Sequence, residues 1–286
     1  MRHNILITSA GKRVALVRAF RSSMDRIFPE GKILTTDMNP EMAPTGYVSD
    51  GCFRVPAVSA ADYIPALLEI CRRNDIGMIV PTIDTELSLL ASCKSRFEAE
   101  GVAVIVSDPL FVAMCRDKRN TGDFFTSRSI RTPRPIDKAN PTFPLFAKPY
   151  DGSLSRNLHY ITCPEELTPA ILADPKLMFM EYIDKSRYKE YTVDLYYGRD
   201  HELKMVVPRE RIEIRAGEIN KGRTEKGALV AYRNRVWIGS RDASDVFACS
   251  CFMIPKQAIR SVSKSIPASA AATRSLMQPE PITPNG

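Results

Sequence analysis

The chain of 286 residues has three histidines, one tryptophan and few glycine-rich stretches, and each scarcity excludes a class of function. His3, His159 and His201 stand too far apart to form a local metal motif, and they read as solvent-facing or structural. Seven cysteines, at 52, 71, 93, 115, 163, 249 and 251, include no pair at Cys-x-x-Cys spacing, so a zinc knuckle is excluded and reduced thiols are expected. No window approaches the ~20 apolar residues of a membrane span. The early apolar run Ile5, Leu6, Ile7 is too short for a signal peptide, and a cytoplasmic location without membrane partners is the expectation. No GxxxxGK[ST] occurs, which removes a P-loop.

Charge excludes less than its total suggests. The net +7 is concentrated late: residues 227–286 hold seven Lys/Arg against three Asp/Glu, and the first 226 hold thirty-three against thirty. With no arginine-rich run interleaved with aromatics, no nucleic-acid partner is expected.

What the chain does have is 44% apolar residues, enough for one large or two ordinary cores. Residues 4–115 alternate strand-like and helix-like segments. NILITS, KILTTD, GMIVP and VAVIVS read as strands, and 11–28, 61–73 and 84–98 as helices, the first with Val14, Leu16, Val17 and Phe20 inward. Such alternation predicts a parallel sheet covered on both faces. A helix near 117–128 and the proline-rich connector RTPRPIDKANPTFP follow. Strands LFAKP, NLHYI, LMFMEYI, EYTVDLYY and LKMVVP then outnumber one helix near 164–173, as in an antiparallel α+β lobe. From Gly227 onward neither period is sustained, and by composition a disordered tail is the simpler expectation.

Four stretches could carry chemistry. SAGKR (9–13) lies where a dinucleotide loop would, but its single glycine favours an ordinary strand-to-helix turn. PTIDTEL places Asp84 and Glu86 after a buried strand, where they could cap the next helix or hold an amine substrate at the carboxyl edge of the sheet. PLFAKPYDGSLSRNL puts Lys148 in an apolar strand ahead of Gly152, Ser153, Ser155 and Arg156, a fixed cation followed by small donors suited to a polyphosphate. In MEYIDKSRYKEYTVDLYY, residues from Glu181 could line an adenine pocket, and Glu190 could accept ribose hydroxyls. The alternative for both glutamates is an exposed strand end.

The order of Lys118, Lys148 with its loop, Glu181 and Glu190 resembles the ATP-grasp superfamily, specifically the branch similar to the carbamoyl-phosphate synthase large subunit. The resemblance covers about 4–226. It implies an α/β class: a Rossmann-like pre-ATP-grasp parallel-sheet domain (1–115), then a partial α+β ATP-grasp domain (116–226). By the same resemblance Lys118 and Lys148 contact phosphates, 151–157 is the flap, Glu181, Tyr182 and Ile183 form the adenine hinge, and Glu190 binds ribose. The flap departs from the glycine-rich form at Leu154 and Asn157.

The resemblance further implies ATP and Mg²⁺ as cofactors, with the metal held by a late EINPR strand followed by glycines. As translated, the chain contains no such segment. Yet SKSIPASAAATR (263–274), back-translated and read one base earlier, can spell FEINPRFGGGYP. Each shifted codon has few outcomes, so a match along the whole run is hard to attribute to chance. The expectation is a one-base frame slip near Lys226, by sequencing error or mutation, that leaves 227–286 out of frame and poorly ordered and the enzyme inactive as translated.

With the frame restored, the chain is expected to be an ATP-dependent ligase joining a small-molecule carboxylate to an amine or similar nucleophile through an acyl phosphate. Asp84 and Glu86 would face the acceptor. Arg209, Arg211 and Lys221 in VVPRERIEIRAGEINKGRTEK could hold the carboxylate or acyl phosphate, or else decorate a solvated hairpin. A homodimer is the family-level expectation. The rival is a non-catalytic nucleotide-binding remnant.

Overall fold

The computed structural model describes residues 2–128, 130–152, 155–198, 200–215 and 217–225, together with the backbone of 245–253 and 261–266. Leu6 and Ile7 sit side by side on strand β1 (Asn4–Thr8) and are both fully buried, because successive strand residues point to opposite faces and here both faces are covered. Helix α1 (Val14–Ile27) covers Ile7's face through Leu16, Val17, Phe20 and Met24. After β2 (Ile33–Asp37) and the edge strand β3 (Gly51–Arg54), helix α2 (Tyr63–Arg73) covers Leu6's face with Tyr63, Leu67 and Cys71.

Strand β4 (Ile76–Pro81) leads to α3 (Asp84–Ser92), α4 (Lys94–Glu98) and the short β5 (Ala103–Val104). The predicted single helix over 84–98 is thus two helices with Cys93 between them, and the predicted strand VAVIVS shortens to two residues at the sheet edge. All pairings are parallel, in the order β3-β2-β1-β4-β5. The order reverses direction between β1 and β4, which opens a crevice at their carboxyl ends. SAGKR and Thr82–Asp84 border it.

Helix α5 (Pro109–Arg116), not anticipated from the sequence, starts at Asp108, whose side chain accepts from the Leu110 amide. Helix α6 (Lys118–Ser127) is capped likewise by Asp117. Next come β6 (Pro135–Ile136), β7 (Leu145–Pro149), β8 (His159–Ile161), the one-turn α7 (Pro169–Ala173) and β9 (Leu177–Glu181), which form an antiparallel sheet ordered β6-β9-β7-β8.

The last sheet, β12-β11-β10-β13-β14, is also antiparallel, with β10 (Lys189–Tyr197), β11 (Leu203–Arg215), β12 (Glu218–Thr224), β13 (Asp245–Met253) and β14 (Ser261–Ile266). The alternation in KEYTVDLYY sends Tyr191, Val193, Leu195 and Tyr197 into a core with Phe111, Cys115, Phe125 and Ile130 of α5 and α6 and their C-terminal flank. Glu190, Thr192 and Asp194 therefore share the opposite face. The expected poorly ordered tail is paired strand backbone over 245–253 and 261–266, and its remainder lies outside the described residues. Among the described residues, no helix is long and apolar enough to cross a membrane.

Candidate functional site

Two groups of polar side chains stand out. The first lies at the crevice of the parallel sheet. Thr82 Oγ1 donates to the Thr8 and Ser9 carbonyls at 2.9 and 2.7 Å, tying the loop after β4 to the loop after β1. Gly11, at φ +45°, takes a left-handed turn that favours glycine, and its carbonyl accepts from Thr45 N and Oγ1. Asp84, at the first turn of α3, is half-buried at this rim.

Glu86 was expected beside Asp84 at the acceptor, but it turns inward and is wholly buried. Tyr63 Oη donates to its Oε2 at 2.6 Å, and the Thr82 and Ile83 amides lie 3.2 and 3.4 Å from its Oε1. The helix-capping alternative thus describes Glu86, which has no surface left for a ligand. Burial pushes its carboxyl above the usual carboxylate range, against the lowering effect of its donors.

The second group spans the two antiparallel sheets. Lys148, predicted as a cation in an apolar strand, is buried on β7 opposite Met178, on the face of the sheet away from the core residues Leu145 and Ala147. Lys118 Nζ donates to the Tyr150 and Gly152 carbonyls at 3.2 and 2.7 Å. With the Arg119 guanidinium 3.7 Å from the Tyr150 ring centroid and Lys176 Nζ 3.0 Å from Asp151 Oδ2, it fastens the root of the expected flap. Within that flap, Ser155 and Asn157 have positive φ, and Ser153 lies outside the described residues.

Of the expected hinge, Glu181 closes β9 with its carboxylate beside Arg131 (3.1 Å) and Arg134 (3.6 Å). The Tyr182 ring packs on Tyr160 with centroids 4.2 Å apart. Ile183 is half-buried in the connection from β9 to β10. Glu190 receives Lys185 Nζ at 3.1 Å on one oxygen and pairs with Arg211 Nε at 3.1 Å through the other. A carboxylate has about four lone-pair sites, so capacity for hydroxyl donors is left.

Arg211 also donates to Thr192 Oγ1 (3.1 Å) and the Gly217 carbonyl (2.9 Å). Its desolvation holds the guanidinium below its ordinary pKa, opposed by Glu190. Arg209 forms a two-pronged pair with Asp194, Nε to Oδ2 at 2.6 Å and Nη2 to Oδ1 at 3.0 Å. Lys221 stands apart from both: exposed on β12, it pairs with Glu213 at 2.8 Å. The structure therefore gathers Glu190, Arg209 and Arg211 and leaves Lys221 at the rim. Asp194 and Thr192 were missed in the sequence, although the alternation of KEYTVDLYY already puts them on the same face as Glu190.

The amino-terminal unit matches the model of the PylC-like N-terminal domain over residues 5–105. In solved structures the chain is similar to N5-carboxyaminoimidazole synthetase from Staphylococcus aureus complexed with ADP (TM-score 0.68, 15% identity, 93% of this chain and 70% of that one). It is also similar to biotin carboxylase from Campylobacter jejuni (0.67, 12%, 96% and 67%). To Rhizobium etli pyruvate carboxylase the likeness is 0.71 at 11% identity, covering 96% of this chain and 27% of that one. The fold is the ATP-grasp fold. At these identities the likeness extends to the fold alone. No curated protein matches the sequence.

The chemistry of the described side chains suits an anionic ligand. Lys148 is a buried cation, and the β10–β11 face sets two guanidinium groups beside a carboxylate. Among the described residues, no group of three or more His, Cys, Asp or Glu side chains could hold a metal ion. The shifted-frame positions that would supply a metal site have no described side chains.

Proposed function

We propose that this chain is the body of an ATP- and Mg²⁺-dependent carboxylate–amine ligase of the carbamoyl-phosphate synthase-like branch, working through an acyl phosphate, with its reading frame slipped by one base near Lys226. The observation that carries the reading is the β10–β11 face, where Arg209 and Arg211 are held beside Glu190 at the end of the connection from Glu181. ATP supplies the phosphoryl group that activates the carboxylate, and Mg²⁺ neutralises charge on the phosphates during transfer.

The chain's own residues take the roles that the resemblance implies. Lys148 and Lys118 neutralise phosphate charge, with Lys118 first leaving the flap-root carbonyls it now binds. Gly152, Ser153 and Ser155 cover the phosphates, Glu181, Tyr182 and Ile183 hold adenine, and Glu190 takes the ribose. Arg209 and Arg211 steady the carboxylate or its acyl phosphate, and Asp84 faces the amine acceptor. The neighbours include an ADP complex and a biotin carboxylase domain dimer bound to MgADP. Their fold supports a nucleotide in this cleft and a homodimer in solution.

Backbone register supports the frame slip. Position 264 pairs with 250, which pairs with Thr192, which pairs with Arg209; position 266 pairs with 248, which pairs with Asp194. Residues directly opposite in a sheet share a face. The shifted codons at 264 and 266 can read Glu and Asn, in which case the missing metal-binding pair would stand on the face that carries Arg209 and Asp194.

The test is to sequence the coding DNA across codons 220–230 from source material, measure the intact mass of the native protein, and assay carboxylate-dependent ADP release by the protein in each frame. Release in the restored frame alone is the expected result. Release from the chain as translated would overturn the frame slip, and absence of release from both, across a panel of carboxylates and amines, would overturn the ligase. ATP binding without turnover in both frames would favour the nucleotide-binding remnant.

A further inference from the structure

We propose that Asp194 is a positioning residue that aims the Arg209 guanidinium outward from the β10–β11 face as a fixed phosphate ligand; this rests on the nucleotide-binding reading above. Asp194 lies two residues along β10 from Arg209's direct partner Thr192, so the two side chains meet on the diagonal of the sheet. The two hydrogen bonds from Arg209 to Asp194 use one edge of the guanidinium, Nε and Nη2, on the two carboxylate oxygens. A guanidinium is planar with five N–H donors. Binding along that edge therefore leaves Nη1 and the outer hydrogen of Nη2 directed away from Asp194.

Burial separates the ends of the pair. The Asp194 side chain is 1% exposed and that of Arg209 20%, so the carboxylate is inside and the guanidinium reaches outward. A buried ion pair adds little net stability, because desolvation offsets the attraction, and an apolar pair would pack a sheet about as well. What an apolar pair would not provide is a charge of fixed direction. Arg211 differs: it is 12% exposed, with Glu190, Thr192 and the Gly217 carbonyl around its donors. Of the two arginines, Arg209 has the more open edge, and among the described residues its hydrogen bonds go to Asp194 alone.

The experiment is calorimetric titration of the full chain with ATP and with adenosine, which lacks the phosphates. Asp194→Asn should weaken ATP by about tenfold, the scale of one charge-assisted hydrogen bond, and leave adenosine within about twofold. Arg209→Gln should do the same, and adding Asp194→Asn to it should cost no further affinity, since the two act as one unit. Asp194→Glu should restore most of the loss. An Asp194→Asn chain that keeps its ATP affinity, or that loses adenosine as strongly as ATP, would overturn the proposal. So would additive losses in the double variant. If Asp194→Asn does not fold, Arg209→Gln and Asp194→Glu decide: unchanged ATP affinity in the former, or a loss for adenosine in the latter, overturns it. A wild-type chain that binds neither probe would instead remove the nucleotide-binding reading itself.

Discussion

Glu86 and Asp194 are the two carboxylates in the buried core of the described residues, and they are held by opposite kinds of partner. Glu86, in the parallel-sheet unit, is surrounded by neutral donors: the Tyr63 hydroxyl and two backbone amides. Asp194, on the antiparallel sheet, grips one arginine. Burial pushes both carboxyls above their ordinary range. What differs is the consequence. Neutral donors make Glu86 a clasp, since the Thr82 it fixes also holds the loop after β1. A cationic partner makes Asp194 a mount for a charge whose outer end reaches the surface of the sheet. Burial alone does not separate a structural acid from a functional one, whereas the chemistry of the partner does.

The same isosteric change should therefore act in opposite directions at the two sites. The largest effect is expected at Asp194. Replacing it by Asn leaves the mostly buried Arg209 without its counter-charge and should lower unfolding free energy by about 3 kcal/mol, measured by urea denaturation. A loss below about 0.5 kcal/mol, the range of ordinary surface changes, would mean that the pair is not a buried unit and would break the comparison.

Next in size is Tyr63→Phe, which deletes the donor 2.6 Å from Glu86. The cost should be about 1 kcal/mol and should grow with pH. Tyr63's hydrogen bond lowers the Glu86 pKa, so its removal raises that pKa further. A carboxyl raised in the folded state loses stability as pH climbs from its unfolded pKa towards the folded one. Melting temperatures at pH 5 and pH 8 should therefore diverge more in the variant than in wild type. Equal divergence would show that the hydroxyl does not govern this carboxyl.

Glu86→Gln should be milder and opposite in sign to Asp194→Asn. The amide keeps a carbonyl for the Thr82 and Ile83 amides and removes the titration. It should melt above wild type at pH 8, with the gap closing as pH falls towards the ordinary carboxylate range. A gap that stays constant with pH would remove ionisation as its cause.

Much of the parallel-sheet unit was legible because its central strands are buried on both faces and so appear as apolar runs. NILITS and GMIVP differ from β1 and β4 by a residue at an end. The edges were less legible: β3 has no apolar run, and VAVIVS pairs only at Ala103 and Val104. Helix α5 carried its signal in Asp108 and Pro109, but the apolar residues on either side of it obscured the boundary. In the second unit LFAKP is β7 to the residue, while β11 runs on past LKMVVP to Arg215 because its charged residues pair across strands. The candidate site shows the same division. Lys148 was visible as a cation in an apolar strand. The role of Asp194 depends on cross-strand register, which no single segment of sequence contains.

The smallest effect is expected at Lys221, and it sharpens the comparison from the other side. Sequence placed Lys221 with Arg209 and Arg211 because all three lie in one basic stretch. The hairpin separates them: Arg209 is 20% exposed against a buried carboxylate, and Lys221 is 70% exposed against Glu213. Solvent screens such a pair and side-chain entropy opposes it. Lys221→Ala should therefore leave both melting temperature and ATP affinity unchanged within error, while Arg209→Gln weakens ATP and, by leaving the buried Asp194 carboxylate without its counter-charge, also lowers the melting temperature. If Lys221→Ala weakens ATP as much as Arg209→Gln, the hairpin's rim belongs to the anion site, and a fixed buried carboxylate is not what distinguishes a functional cation in this sheet.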